Sequence, residues 1–330
     1  MVAKPENLSK DWDSRSVGKP WQHKFFYFVI RFCGRRVAYL FMYFVVLWYV
    51  LFYPPLHKKC KPYLDRRFPD RKARLPRLLD EYRWITSLGG SLIDRAAFGI
   101  LGVDRIKVEV PEGARLQELM NEKNGLLILG AHIGCWQIAF SELQLLEGSV
   151  YLVMHRDQYD IDKHYFEHNN RKPPFEIIDP AGYLGGTLQI ASILQEGQTV
   201  GLMGDRVFGD DSNTITVDFL GDPIRIPVAP YRLAAMRGSP IAILFSYRAN
   251  HSRYITEIPG VIRVPAIVDR KSQTYLPYAQ EFIGYLTQYV QKHPFDFFNF
   301  YPMWKECASQ GDVIHRKNKK NTGAELGIEV

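Results

Sequence analysis

Apolar and polar positions along the chain fall into two regimes. From Val37 to Tyr53 seventeen residues pass without a charge, and an earlier apolar patch, Phe25–Ile30, is separated from that run by Arg31, Gly34, Arg35 and Arg36. As helix, the longer run covers about 25 Å, a little short of the roughly 30 Å hydrocarbon thickness of a bilayer. Its aromatics, among them Tyr39, Phe41, Phe44, Trp48 and Phe52, favour the headgroup boundary as much as the acyl interior. The pattern predicts a membrane-associated helix that spans the bilayer or lies in it, the alternative being a buried core helix. The run starts late and lacks a small-residue cleavage site, which argues against a removed signal peptide.

From about Arg105 the pattern changes to short β-rich runs alternating with helical periodicity. Strands are predicted at Ile106–Val110, Leu126–Gly130, Val150–Met154, Phe175–Ile178, Thr199–Met203, Thr214–Phe219, Ile241–Tyr247 and Tyr254–Ile258. Helices are predicted at Trp136–Leu146, Tyr183–Gln195, Pro230–Met236 and Leu276–His293. The alternation specifies an α/β fold with a mixed, largely parallel sheet flanked by helices. No internal repeat is evident. The expected organisation is an N-terminal segment with the apolar helix over 1–56, a basic juxtamembrane linker over 57–80, a catalytic domain over 81–310 and a mobile tail over 311–330.

Charge adds a partner class. Lys and Arg number 42 against 35 acidic residues, which suits an anionic partner without choosing among membrane, phosphorylated lipid, acidic carrier protein and nucleic acid. The excess is concentrated directly after the apolar run, where Lys58, Lys59, Lys61, Arg66, Arg67, Arg71, Lys72, Arg74 and Arg77 face only Asp65 and Asp70. Positive residues beside an apolar segment are retained on the cytoplasmic side and drawn to anionic lipid, so the downstream domain is expected on the cytoplasmic face of the membrane. An ordinary solvated helix face is the plainer alternative. Cys33, Cys60, Cys135 and Cys307 are scattered, with no pair at metal or redox spacing, and are expected as reduced thiols.

The candidate chemistry sits at the end of the run Leu126–Gly130, which delivers His132 into a turn flanked by Gly130, Ala131 and Gly134. A strand end fixes an imidazole, and small neighbours admit a substrate, so His132 is the candidate general base. Backbone N–H groups over Ile133–Trp136 are candidate donors to an oxyanion. Gln137, five residues on, could hold the ring tautomer through its amide oxygen but could not stabilise an imidazolium by charge.

The layout His132 to Gln137 resembles the H-x-x-x-x-D/E signature of the glycerolipid and lysophospholipid acyltransferase superfamily, especially the lipid A late acyltransferases. Gln137 stands where that family has Asp or Glu. The resemblance runs from about Trp12 to Trp304 and is carried also by Ser14-Arg15-Ser16 with Gly18, Met154-His155-Arg156-Asp157, and Gly204-Asp205-Arg206. Further along it is carried by Phe219-Leu220-Gly221 with Pro227, Arg237-Gly238-Ser239-Pro240, and His293-Pro294 with Phe298-Asn299-Phe300-Tyr301.

What the resemblance implies is an acyltransferase-type α/β sandwich on the cytoplasmic face of a bacterial inner membrane. An acceptor hydroxyl or amine, deprotonated by His132, would attack the thioester of acyl carrier protein or acyl-CoA directly. Asp205-Arg206 lies where the superfamily carries its acceptor-binding arginine block, although the usual Glu-Gly is absent. Arg206 is therefore the candidate clamp for an anionic headgroup, with Asp205 orienting it or assisting His132. A structural ion pair within the loop is the alternative. Arg156 and Asp157 form a second candidate polar rim. Gly134 is a candidate for close substrate approach, and Trp136, Phe140, Phe297, Phe298, Phe300 and Tyr301 for an acyl-chain tunnel or plain core.

Three origins of Gln137 remain open: another carboxylate such as Asp205 or Glu142 supplies the charge, the residue is an engineered change, or the homologue is weakened. If this side chain stands in the place of the missing charge partner, Gln137→Glu is expected to raise the transferase rate at neutral pH.

Other classes find little support. His155-Arg156-Asp157 spells a kinase triplet without a Gly-rich loop or D-F-G, and no G-x-S-x-G elbow, Walker loop or G-x-G-x-x-G occurs. No metal or redox cofactor is implied, and nucleic-acid binding has only net charge to recommend it. The expected partners are a thioester donor, a lipid or lipid-like acceptor and an anionic membrane surface. A catalytically silent relative that holds acyl carrier protein or a lipid intermediate is the second reading.

Overall fold

The apolar run Leu126–Gly130 is buried at every position because its two faces serve two cores. Leu127 and Leu129 pack with Trp84, Val200 and Phe297, whereas Leu126 and Ile128 pack with Phe98, Leu116 and Phe140. That is the environment of a central strand in a sheet covered on both sides. The computed structural model describes residues 18–102, 105–141, 149–154, 163–168, 175–180, 186–207, 213–266, 269, 271–300 and 302–304.

In chain order the elements are α1 (Pro20–Cys33), α2 (Arg35–Phe52), α3 (Pro54–Arg67), α4 (Arg74–Leu101), β1 (Lys107–Glu109), α5 (Gly113–Asn121), β2 (Leu126–Gly130), α6 (Trp136–Ser141), β3 (Val150–Val153) and β4 (Glu176–Ile178). There follow α7 (Thr187–Gln195), β5 (Thr199–Met203), β6 (Thr214–Phe219), β7 (Asp222–Pro227), α8 (Ala229–Arg237), β8 (Pro240–Ile243), β9 (Phe245–Asn250), β10 (Arg253–Glu257), β11 (Val261–Arg263) and α9 (Leu276–Lys292). The principal sheet has the order β11-β8-β2-β5-β3-β4 and is parallel except for β11. A smaller sheet, β1-β10-β9, and a hairpin, β6-β7, complete the strands among the described residues.

This is the α/β class expected, with differences of detail. The run Ile241–Tyr247 is two strands: β8 ends at Ile243, and β9 starts at Phe245 in the other sheet. Continuous apolarity cannot mark that break, because both halves are buried. The strands β7 and β11 and the helix α5 add to the expected elements; in β7 Ile224 and Ile226 alternate with Arg225, but Pro223 and Pro227 mark the run as turn rather than strand. Residues 57–80, expected as linker, lie largely in α3 and α4. Their charges mask a buried stripe at Leu56, Cys60, Tyr63 and Leu64, spaced as one helical face, and Pro54 and Pro55 suit a first helical turn.

The apolar run Val37–Tyr53 forms α2, and the patch Phe25–Ile30 lies in α1. Ala38, Tyr39, Met42, Val46 and Val50 are the buried face of α2, turned to α4. Gly89 of α4 admits this approach, since a Cβ there would lie 2.9 Å from Met42 Sδ. The opposite faces of both helices carry exposed Trp21, Phe28, Phe32, Phe44, Trp48 and Phe52. Among the described residues α2 is the helix long and apolar enough to cross a bilayer by length and composition.

A buried carboxylate ties this hairpin to the rest. Asp94 of α4 is fully buried and accepts from Arg35 (3.2 Å) and Tyr39 (2.5 Å) of α2 and from Tyr254 (2.7 Å) of β10. Arg248 of β9 donates to the Tyr39 hydroxyl at 2.8 Å.

Candidate active site

Strands β2 and β5 are parallel neighbours, with Gly130 opposite Met203. Gly204 N–H donates to Gly130 O at 2.9 Å, carrying the ladder one residue further. His132 and Asp205 each lie two residues past these paired ends, so the register itself sets them side by side. The carboxyl ends of parallel strands are where open α/β sheets bind ligands.

His132 Nδ1 and Asp205 Oδ1 are 2.8 Å apart, and the His132 backbone N–H donates to Asp205 Oδ2 at 3.1 Å. The carboxylate is fully buried, whereas the histidine side chain keeps one-fifth (20 %) of its surface exposed. A carboxylate accepts, so Nδ1 carries the proton and Nε2 is left with the lone pair. Burial first, and then the Arg206 guanidinium, pull the imidazole below its ordinary pKa, against the opposing pull of Asp205. Burial alone would raise the Asp205 carboxyl; His132 and Arg206 outweigh it and hold the acid below the usual carboxylate range. The pair is thus a neutral imidazole oriented by an ionised carboxylate.

The segment after α9 closes the site from below. Phe298 N–H donates to His132 O at 2.6 Å, Ile133 bridges Phe297, and Gly134 N–H donates to Asp296 O at 2.8 Å. Gly134 has φ +50°, and a Cβ on it would lie 2.0 Å from Ser246 O. Its lack of a side chain therefore serves the crossing of this turn over β9. Asn299, buried, donates to Asp205 O and Oδ2, both at 3.1 Å, and accepts from Arg206 Nε at 3.0 Å. Asn299 was not singled out in the sequence as a site residue. The signal was a lone amide inside the aromatic run Phe297–Phe300, where a buried polar group needs partners.

The sequence candidates divide accordingly. His132, Asp205 and Arg206 come together. Arg206 donates from Nε to Asn299 and from Nη2 to Phe298 O at 3.1 Å, so it braces the closing segment as well as charging the site. Of the proposed oxyanion donors, the Ile133 and Gly134 amides are committed to Ala131 O and Asp296 O, which removes those two from that role. Trp136 starts α6, half-buried, edge-on to Phe140 at 6.0 Å. Phe297 is packed against Tyr63 and Phe219, and Phe300 is stacked on Trp84 at 4.7 Å, which is core packing. Arg156, Asp157, Glu142 and Tyr301 lie outside the described residues.

Gln137 sits on α6, buried, with Oε1 lacking any hydrogen-bond partner. It does not reach the imidazole; Asp205 does. The geometry therefore reverses the expectation for Gln137→Glu: with Nδ1 already held, a second carboxylate would be buried without a partner. The variant should show no gain in turnover and a lower unfolding midpoint in a thermal melt. No group of three or more His, Cys, Asp or Glu residues that could hold a metal ion occurs among the described residues.

The model of one protein family, described as bacterial lipid A biosynthesis acyltransferase, matches residues 10–306 of the 330. No curated protein matches the chain.

Proposed function

Since the chain belongs to the bacterial lipid A biosynthesis acyltransferase family, a family of acyltransferases, we propose that it moves a fatty acyl group from a thioester of acyl carrier protein or CoA to a hydroxyl or amine of a lipid acceptor, with His132 as general base. The observation that carries this reading is the His132–Asp205 pair at adjacent strand ends, with the ring still open to solvent.

The acceptor's proton goes to Nε2 as its oxygen or nitrogen bonds to the thioester carbonyl carbon. The carbon–sulfur bond then breaks, and the imidazolium returns its proton to the departing thiolate. Asp205 orients the ring and stabilises the imidazolium that forms. Burial and, after it, Arg206 lower the imidazole pKa, which favours the unprotonated base, and Arg206 is the candidate anion clamp for the acceptor. Phe298 and Asn299 hold both partners in place.

The protein is proposed to work on the cytoplasmic face of the bacterial inner membrane. The exposed aromatic faces of α1 and α2 and the basic belt that follows support this placement.

The test is to incubate the detergent-solubilised full chain with acyl carrier protein thioester and total membrane lipid, following thiol release and lipid mass together. Thiol release with an acylated lipid product supports transfer. Binding of carrier or lipid without either supports the silent relative instead.

A pH profile gives a second check. The rate should stay on its plateau through neutral pH and fall only below the ordinary imidazole value of 6.5, because burial and Arg206 depress His132. In Arg206→Gln one lowering influence is gone, so the acid limb should move to higher pH. A limb that stays in place would separate Arg206 from the base.

A further inference from the structure

Between the facing stripes of α3 and α4 lies an open cleft of about 560 Å³, whose lining residues are distinct from those of the His132 centre. His57, Lys61 and Asp65 lie at four-residue spacing on α3, Arg77 and Glu81 at the same spacing on α4, and Lys72 in the turn between them. The two carboxylates are already engaged, Asp65 by Arg77 and Glu81 by His57. Lys61 and Lys72 have no ion-pair partner among the described residues. Arg77 Nη1 is buried without a hydrogen-bond partner. A cleft with two ammonium groups outside any ion pair and an unsatisfied guanidinium nitrogen suits an anion with several acceptor oxygens.

We infer that this cleft binds the phosphate-bearing headgroup of a lipid, at a site separate from the His132 centre. Its position favours a lipid: His57 is five residues beyond Phe52, which is 66 % exposed at the end of α2, next to Leu51, 53 % exposed. Apolar side chains left to solvent beside a cationic cleft match an amphiphile whose tails lie along α2. Basic pockets beside apolar helices on the cytoplasmic side take lipid headgroups in this way. The size also fits, because a cavity of this volume is that of a small-molecule site, whereas an acidic protein would need about 800 Å² of its surface covered. The pocket is joined to the active site through α4: three residues beyond Glu81, Trp84 Nε1 donates to Phe297 O at 2.7 Å, in the segment that closes on His132.

The test uses the full chain in neutral detergent, titrated separately with short-chain phosphatidic acid, phosphatidylcholine of the same chain length, inorganic phosphate and acyl carrier protein. Binding is read by thermal shift and by calorimetry. Phosphatidic acid should bind more tightly than either the zwitterionic lipid or free phosphate. Lys61→Gln/Lys72→Gln, which changes two exposed side chains, should weaken it about thirtyfold without moving the ligand-free melting midpoint. Arg77→Lys should lose part of the affinity, because it keeps the charge and gives up the fork.

Equal affinity for free phosphate would overturn the lipid assignment, as would a lysine-pair variant that loses acyl carrier protein but keeps phosphatidic acid. Unchanged phosphatidic acid affinity in the lysine pair would overturn the site. Binding is read without turnover, so this inference fails or stands independently of His132 as base.

Discussion

His132→Ala should lower thiol release in the presence of acceptor by about 10²- to 10⁴-fold, the usual worth of a positioned general base. The loss should fall on the chemical step. The backbone groups of residue 132 that hold the closing segment, its N–H to Asp205 and its carbonyl to Phe298, are retained in alanine, so the turn keeps its anchor points. What changes is Asp205, whose Oδ1 loses the imidazole while remaining fully buried; a stability loss of about 1–3 kcal/mol follows from that unpaired acceptor. Measuring the melting midpoint beside the rate separates the two effects. If a folded His132→Ala protein turns over within tenfold of the parent, the base lies elsewhere.

Asp205→Asn is the second large effect and the sharper one, because it keeps the shape. Every side-chain contact of Asp205 is an acceptance: Oδ1 from His132 Nδ1, and Oδ2 from the His132 backbone N–H and from Asn299 Nδ2. An amide has one accepting edge. If its oxygen faces the backbone and Asn299, its NH₂ meets Nδ1 and forces the wrong tautomer; if the oxygen faces the ring, the NH₂ meets two donors. Either orientation costs the imidazolium its counter-charge, so a rate loss of about 10³- to 10⁴-fold is expected.

The residual activity should also titrate differently. Asp205 raises the imidazole pKa by charge and hydrogen bond, so its removal should push the acid limb further down, opposite to Arg206→Gln. Stability carries its own sign. The Asp205 carboxyl is held below its ordinary value, so its contribution to folding is present above the usual carboxylate range and is lost as pH falls through the depressed one. A melt of Asp205→Asn should therefore approach the parent at strongly acidic pH. A constant gap down to acid would place the effect in packing.

Much of this site was legible in the chain because strand ends are marked locally. Four apolar residues and a glycine announce β2, and His132 follows; β5 is a similar short buried run ending before Gly204, and Asp205 follows. Their pairing was not legible. Seventy-three residues separate them, and nothing local states that β5, formed after β3 and β4, inserts between β2 and β3. Spacing therefore drew attention to Gln137, five residues from His132, whereas that side chain is buried on α6 with its Oε1 unpaired and the ring is held by Asp205. Asn299 was hidden for a related reason, since its partners Asp205 and Arg206 come from the loop after β5 and its own neighbours are aromatic. The helices α3 and α4 were obscured by charge: lysines and arginines outnumber the few buried positions, and the stripe emerges only when read at helical spacing.

The carboxylate of Asp94 sets a rule for handling the molecule. Two of its four cationic or hydroxyl neighbours, Arg35 and Tyr39, belong to α2, and two, Arg248 and Tyr254, to the smaller sheet. Trimming away the first fifty residues to obtain a water-soluble enzyme would leave that acid half-neutralised and strip the cover from Gly89. Whatever surface their apolar outer faces meet, the N-terminal helices are masonry for the rest of the fold, and the chain has no detachable half.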